Sequence, residues 1–377
     1  MPFIQDSLLW WVVGLAAVAG SFSATLWLYR LGEVHLVGRD RSTGVQKFHV
    51  NPTSRLGGLG IIAGYLAALV VIFVVQRSQS SGPSPDIGVW YGLALASLPV
   101  FVGGLYEDLT HSVGPTVRLL LSMLSAAMVY WGLGIGVFKT DVWLVDTLLL
   151  LPTATFFVSL LVVAGFTHSI NIIDGFHGLA SGSVMIMLAG LMALAWLCHD
   201  SLVLYLCGVL LLATLGFFVL NWPSGKIFLG DAGAYLLGFW VVELGLMLVS
   251  RNPRISPMAP VVVGIFPLIE TLFSMYRRKF VRQHPINHPD GLHLHTLIYK
   301  RILASPRKQK TPNEINRANS QVAPYFWGSS VIFVVLAVAF RENTSAQLIL
   351  MLAYFALYRW LYVRLVSLKT PKWMLRR

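Results

Sequence analysis

Residue types that bind phosphate or metal ions recur in this sequence directly beside long apolar segments. The stretch NIIDGFHGLASG (171–182) follows the apolar segment 152–166 and contains an asparagine, an aspartate and a histidine. The stretch FLGDAG (228–233) contains another aspartate, and GGLYEDLT (103–110) contains an acidic pair. A carboxylate beside hydrocarbon is costly, so these carboxylates are candidates for a functional site.

Basic residues and histidines form a second set of candidates. Lys47, His49 and Arg55 lie close together in one polar loop, and His293 and His295 lie two residues apart in another. Carboxylates from separate segments can hold Mg²⁺, which completes its coordination with water and substrate phosphates. Basic side chains can answer the negative charge of a substrate. The combination predicts phosphoryl transfer, in which a protein supplies positioning and charge neutralisation.

Each motif, taken singly, has a structural alternative. Glu107 and Asp108 could be a solvated helix end, and Asp231 could cap the helix that follows it. Asp174 could belong to a turn that stops a helix. The functional interpretation therefore depends on whether the fold brings these motifs together.

The composition predicts a membrane protein with many spans. The 377 residues are 56% hydrophobic and only 12% charged, which is too apolar for a soluble domain. The two cysteines provide no disulfide framework. A net charge of +12 is explained by basic cytoplasmic loops, so no nucleic-acid partner is expected.

Apolar segments of about 20 residues are long enough to cross a bilayer, and in lipid they must be helical. Eleven such segments predict an all-α polytopic membrane helix bundle, forming a single domain over residues 1–377. They are 8–29, 57–76, 89–106, 118–138, 152–170, 178–198, 201–221, 232–250, 258–276, 324–340 and 346–366.

The distribution of basic residues predicts the orientation. With the N-terminus outside and the C-terminus in the cytoplasm, 23 of the 28 Lys and Arg residues fall on the cytoplasmic side. All the polar motifs then lie at cytoplasmic helix ends, and the long cytoplasmic loop 277–323 contains both histidines and a basic insertion, 300–317. That insertion is interpreted either as a segment on the anionic inner leaflet or as a solvated loop.

With these motifs in order, the chain resembles the polyprenyl-phosphate N-acetylhexosamine-1-phosphate transferases from about residue 40 to residue 300. The matching elements are K-x-H-x-x-P-T-x-R-L-G-G (47–58), the acidic pair after Gly104, N-x-x-D-G-x-x-G-L-A (171–180), F-x-G-D-A-G (228–233) and the H-x-H loop. The resemblance is greater to the branch that starts O-antigen and common antigen than to phospho-MurNAc-pentapeptide translocase.

The resemblance implies an enzyme that moves a sugar 1-phosphate from a UDP-sugar to polyprenyl phosphate and releases UMP. It implies Mg²⁺ as cofactor, with Mn²⁺ as an alternative, and it allows a homodimer. The implied location is the bacterial inner membrane, with the active site facing the cytoplasm.

The resemblance also implies roles for individual residues. Asp231 and Asp108 would bind the metal, and Glu107 would lie with Asp108 at the lipid phosphate. Residues expected to act in catalysis at the diphosphate or sugar are Asp174, His293 and His295. Residues expected to bind substrate are Lys47, His49, Arg55, Asn171 and His177.

Several positions depart from the family pattern. Glu107 and Glu270 stand where the family has Asp, His168 where it often has Asn, His177 where it often has Asp, and Thr296 where a third His is common. Three alternatives therefore stay open: a translocase acting on phospho-MurNAc-pentapeptide, a transporter, and a non-catalytic relative that binds lipid.

Overall fold

A computed structural model describes residues 2–34, 39–40, 52–78, 86–281, 291–303, 311–371 and 374. Lys47 and His49, which were predicted to bind substrate, lie outside the described residues.

The predicted all-α architecture is confirmed. The α-helices are α1 (Pro2–Val34), α2 (Gly57–Ser78), α3 (Ile87–Ala96), α4 (Leu98–Thr110), α5 (Pro115–Leu133), α6 (Trp143–Leu149), α7 (Pro152–Ile173), α8 (Leu179–Leu197), α9 (Ser201–Asn221), α10 (Gly230–Arg251), α11 (Met258–Val263), α12 (Ile265–Tyr276), α13 (Leu294–Ile298), α14 (Pro312–Ser320), α15 (Ala323–Ala339) and α16 (Thr344–Val366). Short π-helical segments continue α12 and α13, at Arg277–Val281 and Tyr299–Leu303. Within the described ranges, strands are limited to β1 (Arg39–Asp40) and β2 (Thr53–Ser54), which pair antiparallel.

Ten helical segments of the described chain are long and apolar enough to cross a membrane. The ninth predicted span, 258–276, is not among these ten; it consists of two shorter helices, α11 and α12, which meet at Gly264, as α3 and α4 meet at Ser97 in the third span. Pro267 lacks the N–H that would bond to the carbonyl four residues earlier, so a continuous helix is weakened there. The number of spans and the orientation of the termini remain predictions.

Local sequence sets the ends of the helices. Helix α5 begins with Pro115, whose missing N–H costs nothing at a first helical position, and its last residue is followed by Gly134, which has φ +68°. Helix α9 begins after Asp200, whose side chain accepts a hydrogen bond from the Val203 N–H at 3.3 Å.

Helix α10 is the centre of the bundle, with 17 of its 22 residues buried. Its N-terminal turn packs directly against the backbones of α2 and α4. A Cβ atom on Gly104 would lie only 2.6 Å from the Ala232 nitrogen, and one on Gly58 would collide with Gly233. Glycine is therefore needed at both positions for the helix ends to approach α10 so closely.

Backbone hydrogen bonds tie the chain before α2 to the chain before α10. The N–H groups of Gly57 and Gly58 donate to the carbonyls of Phe228 and Leu229 at 3.0 Å, and the Phe228 N–H donates to Ser54. The residues that precede α2 are thereby held beside the start of α10, at the end of the bundle where α4 and α7 also terminate.

Candidate active site

Asp231, the second residue of α10, is the hub of the polar cluster at this end of the bundle. One of its oxygens accepts from Arg55 Nη2 at 2.7 Å and from Asn171 Nδ2 at 3.0 Å. The other accepts from Arg118 Nη1 at 2.5 Å. The Tyr235 hydroxyl, one turn along α10, donates to Asn171 Oδ1 at 3.3 Å. Four separate segments of the chain therefore meet at one buried carboxylate.

Asp108, the neighbouring carboxylate, holds the start of α10. Its two oxygens accept from the backbone N–H groups of Asp231 and Ala232, each at 2.9 Å, and it is fully buried. Arg55 Nε lies 3.1 Å from Oδ1. Because the first N–H groups of a helix have no partner within the helix, Asp108 supplies the cap that α10 lacks from its own sequence. The alternative that Asp231 caps its own helix is wrong, since its side chain faces the arginines.

Glu107 faces the rim of the same cluster. Its Oε2 accepts from the Val113 N–H at 2.8 Å, which fixes the short loop between α4 and α5. Its Oε1 lies 4.0 Å from Arg118 Nη1. The acidic pair therefore has two distinct environments, one carboxylate locked on backbone amides and one partly exposed beside a guanidinium.

Arg118 and Tyr235 are site residues that sequence reasoning missed. In the sequence, Arg118 was treated only as one of the basic residues that set the membrane orientation. It is the sole Lys or Arg in 106–118, the segment that follows the acidic pair. Tyr235 lies four residues after Asp231 and therefore on the same face of the helix. The isolated arginine and the four-residue spacing of Tyr235 from Asp231 are both visible in the sequence. Neither feature distinguishes a site residue from a solvated or a core residue.

Asp174, which follows the last residue of α7, lies within electrostatic reach of the same cluster. Loss of hydration raises the pKa of Asp174 to about 7, while the Arg55 guanidinium lowers it and the carboxylates of Asp231 and Asp108 raise it again. A cation arriving at the cluster would favour the ionised form of Asp174. The ionisation of Asp174 therefore depends on whether a cation is bound, which gives a carboxylate beside an apolar helix a use.

The two histidines of the H-x-H loop lie side by side. Their rings are parallel within 4°, with centroids 5.0 Å apart, although His293 is the extended residue before α13 and His295 is the second residue of that helix. The Nδ1 atoms of His293 and His295 lie 3.2 Å and 3.6 Å from Glu270 Oε1, which also accepts from the Leu294 N–H at 2.8 Å. Arg278 Nη2 lies 3.3 Å from His293 Nε2. Glu270 therefore holds the H-x-H segment.

The H-x-H segment borders the loop after α7. The His295 ring makes an edge contact with Phe176, with centroids 5.6 Å apart. A Cβ atom on Gly175 would lie 3.7 Å from His295 Nε2. The structure thus places His295 against the loop that contains Asp174, although the two motifs are more than a hundred residues apart in the chain.

Among the described residues, one group of carboxylate and imidazole side chains has the spacing of a metal site. Glu270, His293 and His295 offer atoms within 4.8 Å of one another, and nitrogen donors of this kind suit transition metals. Mg²⁺ prefers oxygen ligands and keeps several waters. The oxygens of Asp231, and of Asp174 within its electrostatic reach, are of the type that Mg²⁺ prefers.

His177, predicted to bind substrate, belongs to the loop between α7 and α8, and its side chain is buried. Its ring lies 5.5 Å from that of Phe228 and packs against Gly225, and its backbone N–H donates to Asn319 Oδ1 at 2.8 Å. Asn319 belongs to α14, in the predicted cytoplasmic loop 277–323 but after the basic insertion 300–317. Substrate contact by the His177 ring remains a prediction.

Burial lowers the pKa of His295 to about 4, with Glu270 raising it and His293 lowering it further. In an unfolded chain a histidine protonates near pH 6.5, so acid favours the unfolded chain. We expect the stability to fall by about 1–3 kcal/mol as the pH drops from 7 to 4. Thermal unfolding at these pH values should show a smaller loss for His295→Gln. The exposed His111→Asn control should behave like the wild type, and an unchanged pH profile in His295→Gln would contradict the burial effect.

Comparison with known proteins adds independent information. The family model described as glycosyl transferase family 4 matches residues 90–249, a range that includes Glu107, Asp108, Asn171, Asp174 and Asp231. Arg55, the H-x-H segment and Asn319 lie outside that match.

Several curated proteins are similar to this chain. A probable undecaprenyl-phosphate N-acetylglucosaminyl 1-phosphate transferase of Bacillus subtilis is 27% identical over 252 residues, 66% of each chain. A decaprenyl-phosphate N-acetylglucosaminephosphotransferase of Mycolicibacterium smegmatis is 27% identical over 325 residues, 75% of this chain and 74% of the relative. A phospho-N-acetylmuramoyl-pentapeptide-transferase of Streptococcus uberis is 28% identical over 235 residues, 59% of this chain and 65% of the relative. For the first and third relatives the matched segment covers slightly less than two thirds of the relative's length.

Proposed function

The chain belongs to glycosyl transferase family 4, and from that premise we propose that it is a phosphosugar transferase. Its donor is a UDP-linked acetamido sugar and its acceptor is a polyprenyl phosphate in the membrane. The products are UMP and a lipid-linked diphosphosugar that starts a cell-surface polysaccharide. Two of the relatives named above act with N-acetylglucosamine by name, which makes UDP-N-acetylglucosamine the first donor to test.

The observation that carries this proposal is the arrangement around Asp231. A carboxylate at a helix N-terminus, two guanidinium groups and an asparagine amide meet at one end of a membrane bundle. Such a cluster suits a reaction in which an anionic lipid must approach an anionic nucleotide, because it can accept a divalent cation and neutralise phosphate charge together.

The reaction exchanges one phosphorus–oxygen bond for another. An oxygen of the lipid phosphate attacks the phosphorus next to the sugar, and the bond from that phosphorus to the bridging oxygen breaks. UMP leaves with the electron pair of that bond. A phosphate monoester has a second pKa near 6, so the attacking phosphate is largely dianionic at pH 7 and needs no strong base.

The residues of the cluster would have different roles in the reaction. Arg55 and Arg118 would neutralise phosphate oxygens, and Asn171 would orient the carboxylate of Asp231. His293 and His295, held by Glu270, would line the part of the site that receives the diphosphate or the sugar.

Mg²⁺, when bound at Asp231, would polarise the diphosphate and stabilise charge on the departing UMP. Mn²⁺ offers the same chemistry. Asp108, whose oxygens accept backbone N–H groups, would act chiefly by fixing the direction of Asp231. The active site would face the cytoplasm, as the basic loops predict.

A reaction of the phospho-MurNAc-pentapeptide type is the second candidate, supported by the similarity to the Streptococcus uberis relative. The two candidates share the chemistry and differ in the donor. A panel of donors, including UDP-N-acetylglucosamine and UDP-MurNAc-pentapeptide, separates them by rate.

The proposal is tested by the nucleotide that is released. Purified protein receives Mg²⁺, undecaprenyl phosphate and each donor, and the nucleotide product is identified by chromatography. UMP that forms only when lipid and metal are both present supports phosphosugar transfer. Release of UDP would indicate transfer of the sugar alone, and no release from a folded protein with any donor would contradict an enzymatic role.

A further inference from the structure

We propose that Asn319 is a positioning residue that fixes the loop carrying Asp174 and so sets the affinity for the UDP-sugar. This inference rests on the proposed function, because it concerns how the nucleotide part of that site is held. Asn319 lies outside the family match and outside every motif that the sequence analysis connected with catalysis.

The loop between α7 and α8 is held by two asparagine side chains from distant parts of the chain. The His177 N–H donates to Asn319 Oδ1, and the adjacent Gly178 N–H donates to Asn221 Oδ1, both at 2.8 Å in buried surroundings. These amides precede α8, where backbone N–H groups have no partner within the helix. Gly178 has no side chain with which to cap α8, so the two carboxamides supply acceptors from elsewhere.

The conformation of the loop at this point is unusual. Gly178 has φ +73°, a backbone geometry that strongly favours glycine. A Cβ atom there would lie 2.7 Å from the Trp222 ring. The carboxamide of Asn319 thus acts on the residue immediately before a constrained position, where a lost hydrogen bond can shift the whole turn.

Asn319 is itself fixed by its surroundings. It is 2% exposed and lies near the end of α14, whose start is set by a reciprocal cap between Thr311 and Glu314. The next residue, Ser320, accepts from Trp222 Nε1 at 3.0 Å through its carbonyl. The end of α14 is therefore docked on the loop region through two hydrogen bonds.

The position of the loop matters for the site because Asp174 lies three residues before His177. The charges of Arg55, Asp231 and Asp108 act on the Asp174 carboxylate. The next residue in the chain, Gly175, borders His295. Losing the bond to Asn319 would leave a buried N–H without its acceptor, and the loop would have to move to find another. Such a movement would displace Asp174 relative to the metal and nucleotide, while the lipid side of the cluster at Glu107 would stay in place.

The experiment compares Asn319→Ala with Asn319→Asp, which keeps an acceptor of the same shape. Two readouts are measured: steady-state KM and kcat for UDP-N-acetylglucosamine and for undecaprenyl phosphate, and binding of UDP with Mg²⁺ by calorimetry without lipid. Asn313→Ala, an exposed residue of the same helix, is the control. Asn319→Gln, which keeps the amide but moves it by one methylene, serves as a second variant if Asn319→Ala does not fold.

For Asn319→Ala or Asn319→Gln we expect about a tenfold rise in the KM for the UDP-sugar and in the Kd for UDP. The KM for undecaprenyl phosphate should change less than twofold, and Asn319→Asp should restore nucleotide affinity. Equal losses in kcat and in both KM values, or unchanged UDP binding, would overturn the inference. A wild type that binds UDP but releases no UMP would instead count against the proposed function, since UDP binding tests the role of Asn319 without turnover.

Discussion

Replacing Asp231 with asparagine is expected to lower kcat about a thousandfold at saturating Mg²⁺. A bound metal supplies several kcal/mol of transition-state stabilisation, and each loss of about 1.4 kcal/mol costs a factor of ten in rate. Asparagine is the same size but carries no charge, so the metal would lose its principal anionic ligand. The measurement is the rate of UMP release across a wide range of Mg²⁺ concentrations.

The structure suggests why this variant should remain folded. Arg55 keeps its contact with Asp108, and Arg118 keeps Glu107 at 4.0 Å, so neither guanidinium is left without a carboxylate. A thermal unfolding midpoint close to that of the wild type would confirm that the lost activity is chemical. Retention of more than about a tenth of the wild-type rate would contradict the metal role of Asp231, because an essential ligand accounts for more than a single factor of ten.

Replacing Asp108 with alanine is expected to damage stability more than any other single change in the cluster. The variant leaves two backbone N–H groups of α10 without their buried acceptor and removes one of the two carboxylates that Arg55 contacts. Breaking a buried charged contact of this kind costs about 3–5 kcal/mol. Activity should be lost as well, since Asp231 is the residue whose backbone Asp108 holds.

The matched control for Asp108→Ala is its neighbour, Glu107→Ala. Glu107 is partly exposed, accepts one backbone N–H and faces Arg118 at the rim, so its removal should cost only about 1 kcal/mol. Thermal unfolding of both variants in the same detergent provides the comparison. Equal destabilisation of the two variants would contradict the assignment of Asp108 as the cap of α10.

Much of the architecture could be predicted from the sequence because bilayer physics constrains it tightly. The length of the apolar segments identified the long helices, and the distribution of Lys and Arg predicted that the polar motifs lie at one end of the bundle. At that end the structure brings Arg55, Asn171 and Asp231 into contact. The ninth span was predicted as continuous because hydropathy does not register the effect of Pro267 and Gly264 on the backbone.

The roles within the site were harder to predict, because they depend on contacts between helix ends. No spacing rule connects Asp108 with the amides of residues 231 and 232, or Arg118 with Asp231. Asn319 gave no signal at all, since a polar residue in a predicted cytoplasmic loop is usually solvated. The motifs identified which segments meet, but the side-chain geometry decides which carboxylate faces the arginines, as Asp231 does, and which is committed to the backbone, as Asp108 is.

The central claim is that a phosphate moves together with the sugar, and the fate of the donor's second phosphorus tests it most directly. UDP-N-acetylglucosamine labelled with ³²P at the phosphate next to the sugar is incubated with the protein, Mg²⁺ and undecaprenyl phosphate, and the lipid is extracted. The account predicts that the label moves into the lipid fraction in an amount equal to the UMP formed, and that Asp231→Asn abolishes the transfer. Label that remains in the aqueous phase as UDP while the sugar enters the lipid would contradict it.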